Sequence, residues 1–355
     1  MKPVQLPPDA RVLIVAMRRL GDVLLTTPLI RSVKRAFPGA SIEAVVFAGT
    51  EGILSGNPDL AGVATVSERP SLGEALALLR RLGRRYDLAL STQTGDRPTA
   101  LAVLAGRHSA GPIEAAGWSA GIKRLALSRS YTTDRARHRI VDVLRLAELL
   151  GIPARAEIVC PSGNVRPGLI PTHAYAVVHA VPKFTYKRWT TEGWRKLAAE
   201  LRGRGLATMV IGAEADRAYL DDVWRGCDVA RLDGTLTWPE LSALIGAARV
   251  YIGPDTAVTH LAAATGTQTV ALYGPTDPRI WGPWPIGGLE RPWAAAGAIQ
   301  NRGNVWLVQK PLPCLPCQKE GCDRHIDSHS QCLDELSAVQ VVAAVDRALA
   351  VRRAA

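Results

Sequence analysis

No stretch of this chain approaches the roughly 20 consecutive apolar residues that a bilayer-spanning helix requires. Aromatic residues are scarce, at 5% of the chain, and no basic helix or nucleic-acid-binding module stands out, which argues against DNA or RNA as a partner. Four catalytic signatures are missing: GxGxxG after the first strand, GxxxxGK[ST], GxSxG and HExxH. Dinucleotide redox chemistry, P-loop hydrolysis, serine hydrolysis and zinc proteolysis each lose their usual marker. The N-terminal segment also lacks the layout of a signal peptide, because its apolar run Val12–Met17 is short and reads as a first strand. The expected location is cytoplasmic. Lysine is sparse as well: 8 of the 43 basic residues, the rest being arginine. Guanidinium groups suit forked recognition of phosphate and carboxylate. The net charge of +11 therefore points to an anionic membrane surface or a phosphorylated substrate, or else to a merely solvated surface.

What is present is alternation. A length of 355 residues with 47% apolar and 21% charged residues predicts a globular chain of two domains. Strand-like Val12–Met17 is followed by a helix to about Ala36, stopped by "FPGA". Strand "IEAVVF", helix "SLGEALALLRRLG", strand "YDLALS" and helix "RIVDVLRLAELLG" continue the series. Alternation of this kind implies a parallel sheet wrapped by helices. The Pro- and Gly-bearing segment Ala154–His173 reads as a linker, and alternation restarts at "AYAVVHA". The expected domains are residues 1–165 and 166–355. The stretch from Pro275 to about Ser330 is expected to be irregular, and a terminal helix closes the chain.

Several stretches carry residues suited to chemistry. In "RRLGDVLLTT", Asp22 stands in a turn between strand and helix, with Arg18 and Arg19 before it; it is a helix cap or a base. In "YIGPDTAVTHLAAATG", a strand runs into Asp255, Thr256 and Ala257 at a helix start, where free N–H groups and the dipole favour an anion such as a diphosphate. His260 lies one turn further on the same face. From spacing alone, Asp255 could equally be an N-cap and His260 a satisfied buried histidine. The turn "YGPTDP" follows the next strand and is expected beside the first. Lys183 and Lys187, in "HAVPKFTYKRW", stand at a strand's carboxyl end as point charges for phosphate or as solvated loop residues. Glu214, in "GAEAD", could accept hydrogen bonds from sugar hydroxyls or simply favour a helix start. Cys314, Cys317, Cys322 and Cys332 are spaced as a thiolate metal site, with His325 and His329 as competing ligands; free thiols and disulfides are the other readings.

In their order and spacing, "RRLGDVLLTTPLIRSVKRAFPGA", "KRWTTEGWRKLAAEL" and "GPDTAVTHLAAATGTQTVALYGPTDP" resemble glycosyltransferase family 9, the heptosyltransferases of lipopolysaccharide core assembly. The tail "CLPCQKEGC…QCLDEL" looks like the heptosyltransferase II and III branch. The resemblance implies an α/β chain of GT-B architecture: two Rossmann-like doubly wound domains facing a central cleft, the first binding the acceptor and the second the nucleotide-sugar. It implies inverting transfer without a catalytic metal, typically from ADP-heptose to a lipopolysaccharide-core or other anionic saccharide, with peripheral contact at the inner membrane face. By the matching motifs, Asp22 would be the general base, and Lys187 or Lys183 would meet the diphosphate. Glu214, Asp255, Thr256, Ala257 and His260 would line the donor pocket, and Arg18 and Arg19 would face the acceptor. A structural Zn or Fe at the four cysteines is implied by some relatives. Two other readings remain at this stage: a different GT-B nucleotide-sugar enzyme such as a 2-epimerase, and a non-catalytic nucleotide-sugar or metal-binding protein. Ala257 departs from the glycine common in relatives, which narrows the approach of backbone to phosphate.

Overall fold

Apolar runs without alternation belong in parallel sheets covered on both faces. The computed structural model, which describes residues 3–351, puts them there. The chain divides into two units, one running to Pro161 and the other starting at Ser162.

The first unit holds six strands: β1 (Arg11–Ala16), β2 (Ser41–Phe47), β3 (Gly62–Val66), β4 (Tyr86–Ser91), β5 (Gly106–Ile113) and β6 (Arg129–Thr132). They lie in the order β3-β2-β1-β4-β5-β6, and every neighbouring pair is parallel. The order reverses between β1 and β4, and sheets of this kind bind ligands beyond the carboxyl ends of the strands at such a reversal. Its helices are α1 (Leu20–Leu24), α2 (Thr27–Ala36), α3 (Leu72–Leu82), α4 (Asp96–Ala105), α5 (Trp118–Ala126) and α6 (Arg139–Leu150). On one face of the sheet, Leu29, Ile30 and Val33 of α2 meet Val143, Leu146 and Leu150 of α6 over Val12 and Ile14. On the other, Leu101, Ala102 and Ala105 of α4 cover Leu13 and Val15. Strands β3, β5 and β6 and helices α4 and α5 carry weak apolar patterns, and the sequence reading does not assign them.

One helix was expected between the first turn and Ala36; two are found. Pro28 has no N–H to offer the Leu24 carbonyl four residues back, so the helix cannot run through. The Thr27 hydroxyl donates to that carbonyl instead, at 2.8 Å, and the Thr26 hydroxyl donates to the Asp22 carbonyl at 2.9 Å. Asp22 is thereby isolated on one short helical turn directly after β1.

The second unit contains β7 (Tyr175–His179), α7 (Thr191–Gly203), β8 (Ala207–Ile211), α8 (Arg217–Val223), β9 (Ala230–Arg231), α9 (Trp238–Ala247), β10 (Val250–Pro254), α10 (Ala257–Ala264), β11 (Thr269–Leu272), α11 (Pro278–Trp281), β12 (Ile299–Arg302), β13 (Val305–Val308), α12 (Gln331–Asp334) and α13 (Ala338–Ala350). Its sheet order is β12-β13-β11-β10-β7-β8-β9. Only β12 is antiparallel. Here the order reverses between β7 and β10. The expectation of an irregular stretch from Pro275 to Ser330 needs correction, because β12 and β13 form a hairpin inside it. Both strands have only four residues, joined through Gly303 at φ 52°, too short to stand out among the surrounding Pro and Gly. Between Gly151 and Tyr175 lies a segment that forms no helix or strand. Its first part is fastened to the first unit: Val159 N–H donates to Thr27 Oγ1 at 2.9 Å, and Arg31 meets Glu157 at 2.6 Å.

Gly253 fixes the end of β10. A Cβ there would fall 2.3 Å from the Tyr251 hydroxyl and 2.8 Å from its Cζ, so the buried Tyr251 ring must move if Gly253 becomes alanine. Gly253→Ala is expected to destabilise the chain by about 1–3 kcal/mol through overpacking, read by urea denaturation. An unchanged midpoint would show that the ring relaxes freely.

Candidate active site

Asp22, a carboxylate in the short helix α1 that follows β1, is only 8% exposed. It is not the cap of α1; that position is Arg19, which makes no side-chain capping bond. Arg18 Nε lies 3.0 Å from Asp22 Oδ1, and Arg139 Nε, from the first turn of α6, lies 3.4 Å from the same oxygen. Neither Asp22 Oδ1 nor Arg139 Nε has a properly aligned hydrogen-bond partner among the described residues. The carboxylate is thus surrounded by positive charge yet keeps an acceptor lone pair unused. Arg139 is itself buried and anchored by donation from Nη2 to the Thr92 carbonyl at 2.7 Å, beyond the end of β4. The strand reversal therefore brings the β1, β4 and α6 segments to one carboxylate. Arg139 carries no local signal in the sequence, being 117 residues from Asp22 along the chain, and Arg19 itself is exposed.

Beyond the carboxyl ends of β5 and β6 lies a cavity of about 670 Å³, lined by Glu114, Asp134, Arg135, Arg137 and Arg145 among others. Lys123 holds the Glu114 carboxylate at 2.9 Å, and Arg137 holds Asp134 at 3.0 Å. Arg145 lies over the Tyr131 ring, 4.4 Å from its centroid, and donates to the Thr132 carbonyl at 2.7 Å. Arg135 is exposed, without an ion pair among the described residues. The signal in the sequence was "DRARHR", which carries Arg135 and Arg137 just ahead of α6.

In the second unit, Asp255 ends the segment after β10 and is 9% exposed. The capping reading fails, because the N-cap of α10 is Thr256. The Asp255 carboxylate instead takes Lys187 Nζ at 2.5 Å and the Thr276 hydroxyl at 2.7 Å on the same oxygen. Burial pushes its carboxyl up, but Lys187, His260 and Thr276 outweigh burial and hold it below the usual carboxylate range. Thr276 belongs to "YGPTDP", so the two turns adjoin as expected. Thr256 Oγ1 lies 3.3 Å from His179 Nδ1 and 3.4 Å from Thr259 Oγ1. His179, at the end of β7, and Asp255, beyond β10, flank the second reversal of strand order. Lys183 remains exposed, near the ring of Phe184. Glu214 is exposed in a short turn after β8 and meets Arg217 at 3.4 Å; no bond joins it to the Lys187–Asp255 group among the described residues.

Lys187 sits in the turn Thr185–Lys187, which is held from a distance. Ser330 Oγ donates to the Tyr186 carbonyl at 2.7 Å, and a Cβ on Gly321 would come within 2.9 Å of Tyr186 Cβ. The cysteine-bearing loop therefore packs against the lysine turn. The thiol charges of Cys314, Cys317 and Cys322 reach Cys332, whose own thiol is pushed up to about 12, mainly by burial. The fit to a metal fails all the same. Among the described residues no three His, Cys, Asp or Glu side chains converge on a point that could hold an ion. Cys332 is sunk in the apolar core against Leu333 and Leu336 while Cys314 and Cys322 are exposed, so the expected tetrathiolate Zn or Fe site is not carried further. All six cysteines are free thiols, which also removes the disulfide reading.

The sequence matches the family described as Glycosyltransferase family 9 (heptosyltransferase) over residues 75–287, more than half of the chain. The chain belongs to glycosyltransferase family 9. This transferase is 28% identical over 289 residues to Lipopolysaccharide heptosyltransferase 3 of Escherichia coli (strain K12), covering 76% of this chain and 83% of that one. It superimposes on the glycosyl transferase family 9 protein from Veillonella parvula with a TM-score of 0.78 at 18% identity, covering 98% and 99% of the two chains. The E. coli heptosyltransferase WaaC with ADP gives a TM-score of 0.71 at 22% identity, covering 95% and 99%. The fold is thus GT-B, with two Rossmann-like domains, and the chain is an enzyme of the heptosyltransferase family. The non-catalytic reading falls away. Among the described residues no helix is long and apolar enough to cross a membrane.

Burial lowers the pKa of His179 to about 4 from an ordinary 6.5. The folded transferase keeps this ring neutral and the unfolded chain protonates it, so its contribution is complete above about pH 6.5 and declines as the pH falls towards 4. Between pH 7 and 4 the wild type should lose about 3 kcal/mol more stability than His179→Gln, as measured by urea denaturation at both pH values. Equal losses would mean that the ring is not kept neutral by the fold.

Proposed function

We propose that the transferase moves a heptose from ADP-heptose to an anionic saccharide of the lipopolysaccharide-core type, with inversion and with Asp22 as the general base. The observation that carries this reading is the buried carboxylate of Asp22, held by Arg18 and Arg139 at the reversal of the first sheet. A sugar hydroxyl that donates to the Asp22 carboxylate would give up its proton as it attacks the anomeric carbon. Arg18 and Arg139 hold the carboxylate in position by ion pairing, and Arg18 and Arg19 also offer charge to the acceptor. The cavity with Arg135, Arg137 and Arg145 suits a phosphate or carboxylate of that acceptor, since guanidinium forks pair with both.

On the donor side, the leaving nucleoside diphosphate gathers negative charge. Lys187 and the first N–H groups of α10, at Ala257 and after, are suited to bear it without a divalent ion. Lys187 can do so by exchanging its Asp255 contact for a phosphate oxygen; Asp255 is then available to the hydroxyls of the transferred sugar. Thr256 adds a hydroxyl to the phosphate side, and His260 keeps Asp255 in place. Lys183 and Glu214, exposed on neighbouring loops, serve the outer parts of the donor. The relatives named for heptosyl transfer, and the relative solved with ADP, support the choice of sugar and nucleotide.

Two measurements test this function. Asp22→Asn should lower kcat by about 10²- to 10⁴-fold while leaving donor affinity unchanged; retained turnover would remove Asp22 from the chemistry. In a thermal-shift panel of nucleotide-sugars, ADP-heptose should stabilise the transferase more than ADP alone or UDP-sugars. Product formed from donor without acceptor would favour a 2-epimerase-like reaction instead.

A further inference from the structure

We propose that α3, α4 and α5 of the first unit form a docking surface for an anionic lipid bilayer. On α3, Leu72, Leu76 and Leu79 are all exposed, Leu72 at 91%. On α5, Trp118, Ile122 and Leu125 are exposed too, Trp118 at 82% and Leu125 at 89%. Each set is spaced i, i+4, i+7, so each forms one stripe along one helix face. Leu104 of α4 is also exposed, at 48%. Single exposed leucines are ordinary, but seven large apolar side chains on three adjoining helices are not.

Topology places the stripes together. α4 packs against both α3 and α5. The three helices lead into β4, β5 and β6, which are adjacent and parallel, so they run in the same direction and their C-terminal ends share one edge. That edge is cationic. Arg80, Arg81, Arg84 and Arg85 end α3, Arg107 follows α4, and Arg124 ends α5; all are exposed. Of these only Arg107 has an ion pair among the described residues, with Asp87 at 3.7 Å. The acidic side chains on the three helices are already occupied. Glu74 closes the capping box of α3, and Asp96 takes Lys123 at 2.8 Å. Residues 67–137 hold twelve basic against six acidic residues, a net +6 of the chain's +11.

An apolar face bordered by unpaired arginines matches the two-layer chemistry of a bilayer surface. Leucine and tryptophan enter the acyl boundary, arginine stems snorkel along it, and the guanidinium heads meet anionic headgroups. A second copy of the chain would bring the same positive band against itself, so charge complementarity favours anionic lipid. The proposal stands on this surface alone and does not depend on the donor or on the role of Asp22.

The test is co-sedimentation of the full chain with vesicles of phosphatidylglycerol and phosphatidylethanolamine, and with vesicles of phosphatidylcholine. The wild type should bind the anionic vesicles at least tenfold more tightly than the neutral ones and release at 0.5 M salt. Leu72→Ser with Leu76→Ser, and Trp118→Ser with Leu125→Ser, should each weaken anionic binding about tenfold or more. Arg80→Glu with Arg81→Glu should do the same, and circular dichroism and thermal midpoint should match wild type in every variant. The proposal is overturned if anionic vesicles are not bound, if neutral vesicles are bound equally, or if the folded variants bind like wild type. It is also overturned if sedimentation velocity shows a wild-type dimer that these variants abolish, since the covering partner is then a second copy.

Discussion

Reversal of strand order is the constraint on which the candidate residues of each unit depend. A parallel strand must be followed by a crossover, and crossovers in such sheets keep one hand. Strands added on opposite sides of the first strand therefore send their connections to opposite faces. Between β1 and β4, and again between β7 and β10, the segments beyond the strand ends diverge. Polar groups can collect there without displacing the helices that cover the sheet. Asp22 and Arg139 occupy the first of these places, and His179, Thr256 and Asp255 the second.

Both places are built around a carboxylate removed from water. An unpaired buried charge is costly, so each is compensated, but in different ways. Asp255 is fully engaged by an ammonium and a hydroxyl, and its ionised form is favoured in spite of burial. Asp22 has two guanidinium charges but no aligned donor on its buried oxygen.

Much of this was legible in the sequence because parallel strands declare themselves. β1 and β7 carry unbroken apolar runs, Val12–Ala16 and Tyr175–Val178, β2 and β4 are apolar apart from a few polar positions such as Glu43 and Asp87, and Gly151 in the left-handed region closes α6 as a helix-stop glycine should. The region from β5 to β6 was not legible. The strand "GRHSAGPI" has glycine, histidine and proline where β-branched residues would mark it, and only its neighbours make it a strand. Candidate residues next to strand ends were legible from position: Asp22, Asp255 and Thr256 all follow a readable strand. The adjacency of the Thr276 turn was legible in the same way, but Arg139 was not, since it joins Asp22 through space across 117 residues of chain. The cysteines were legible only as a cluster in the chain: Cys314, Cys317 and Cys322 lie near enough to act electrostatically on Cys332, yet among the described residues no three side chains meet where an ion could be held.

Thr27 has a consequence out of proportion to its size. It is completely buried, and its one hydroxyl both donates to the Leu24 carbonyl and accepts from the Val159 amide. Valine has almost the same outline and would fill the space equally well, yet it would orphan an oxygen on one side and a nitrogen on the other. Serine lacks the methyl but preserves both bonds. By shape this position belongs to the interior; by chemistry it accepts only an alcohol. The tolerated replacements should therefore follow the hydroxyl rather than the volume.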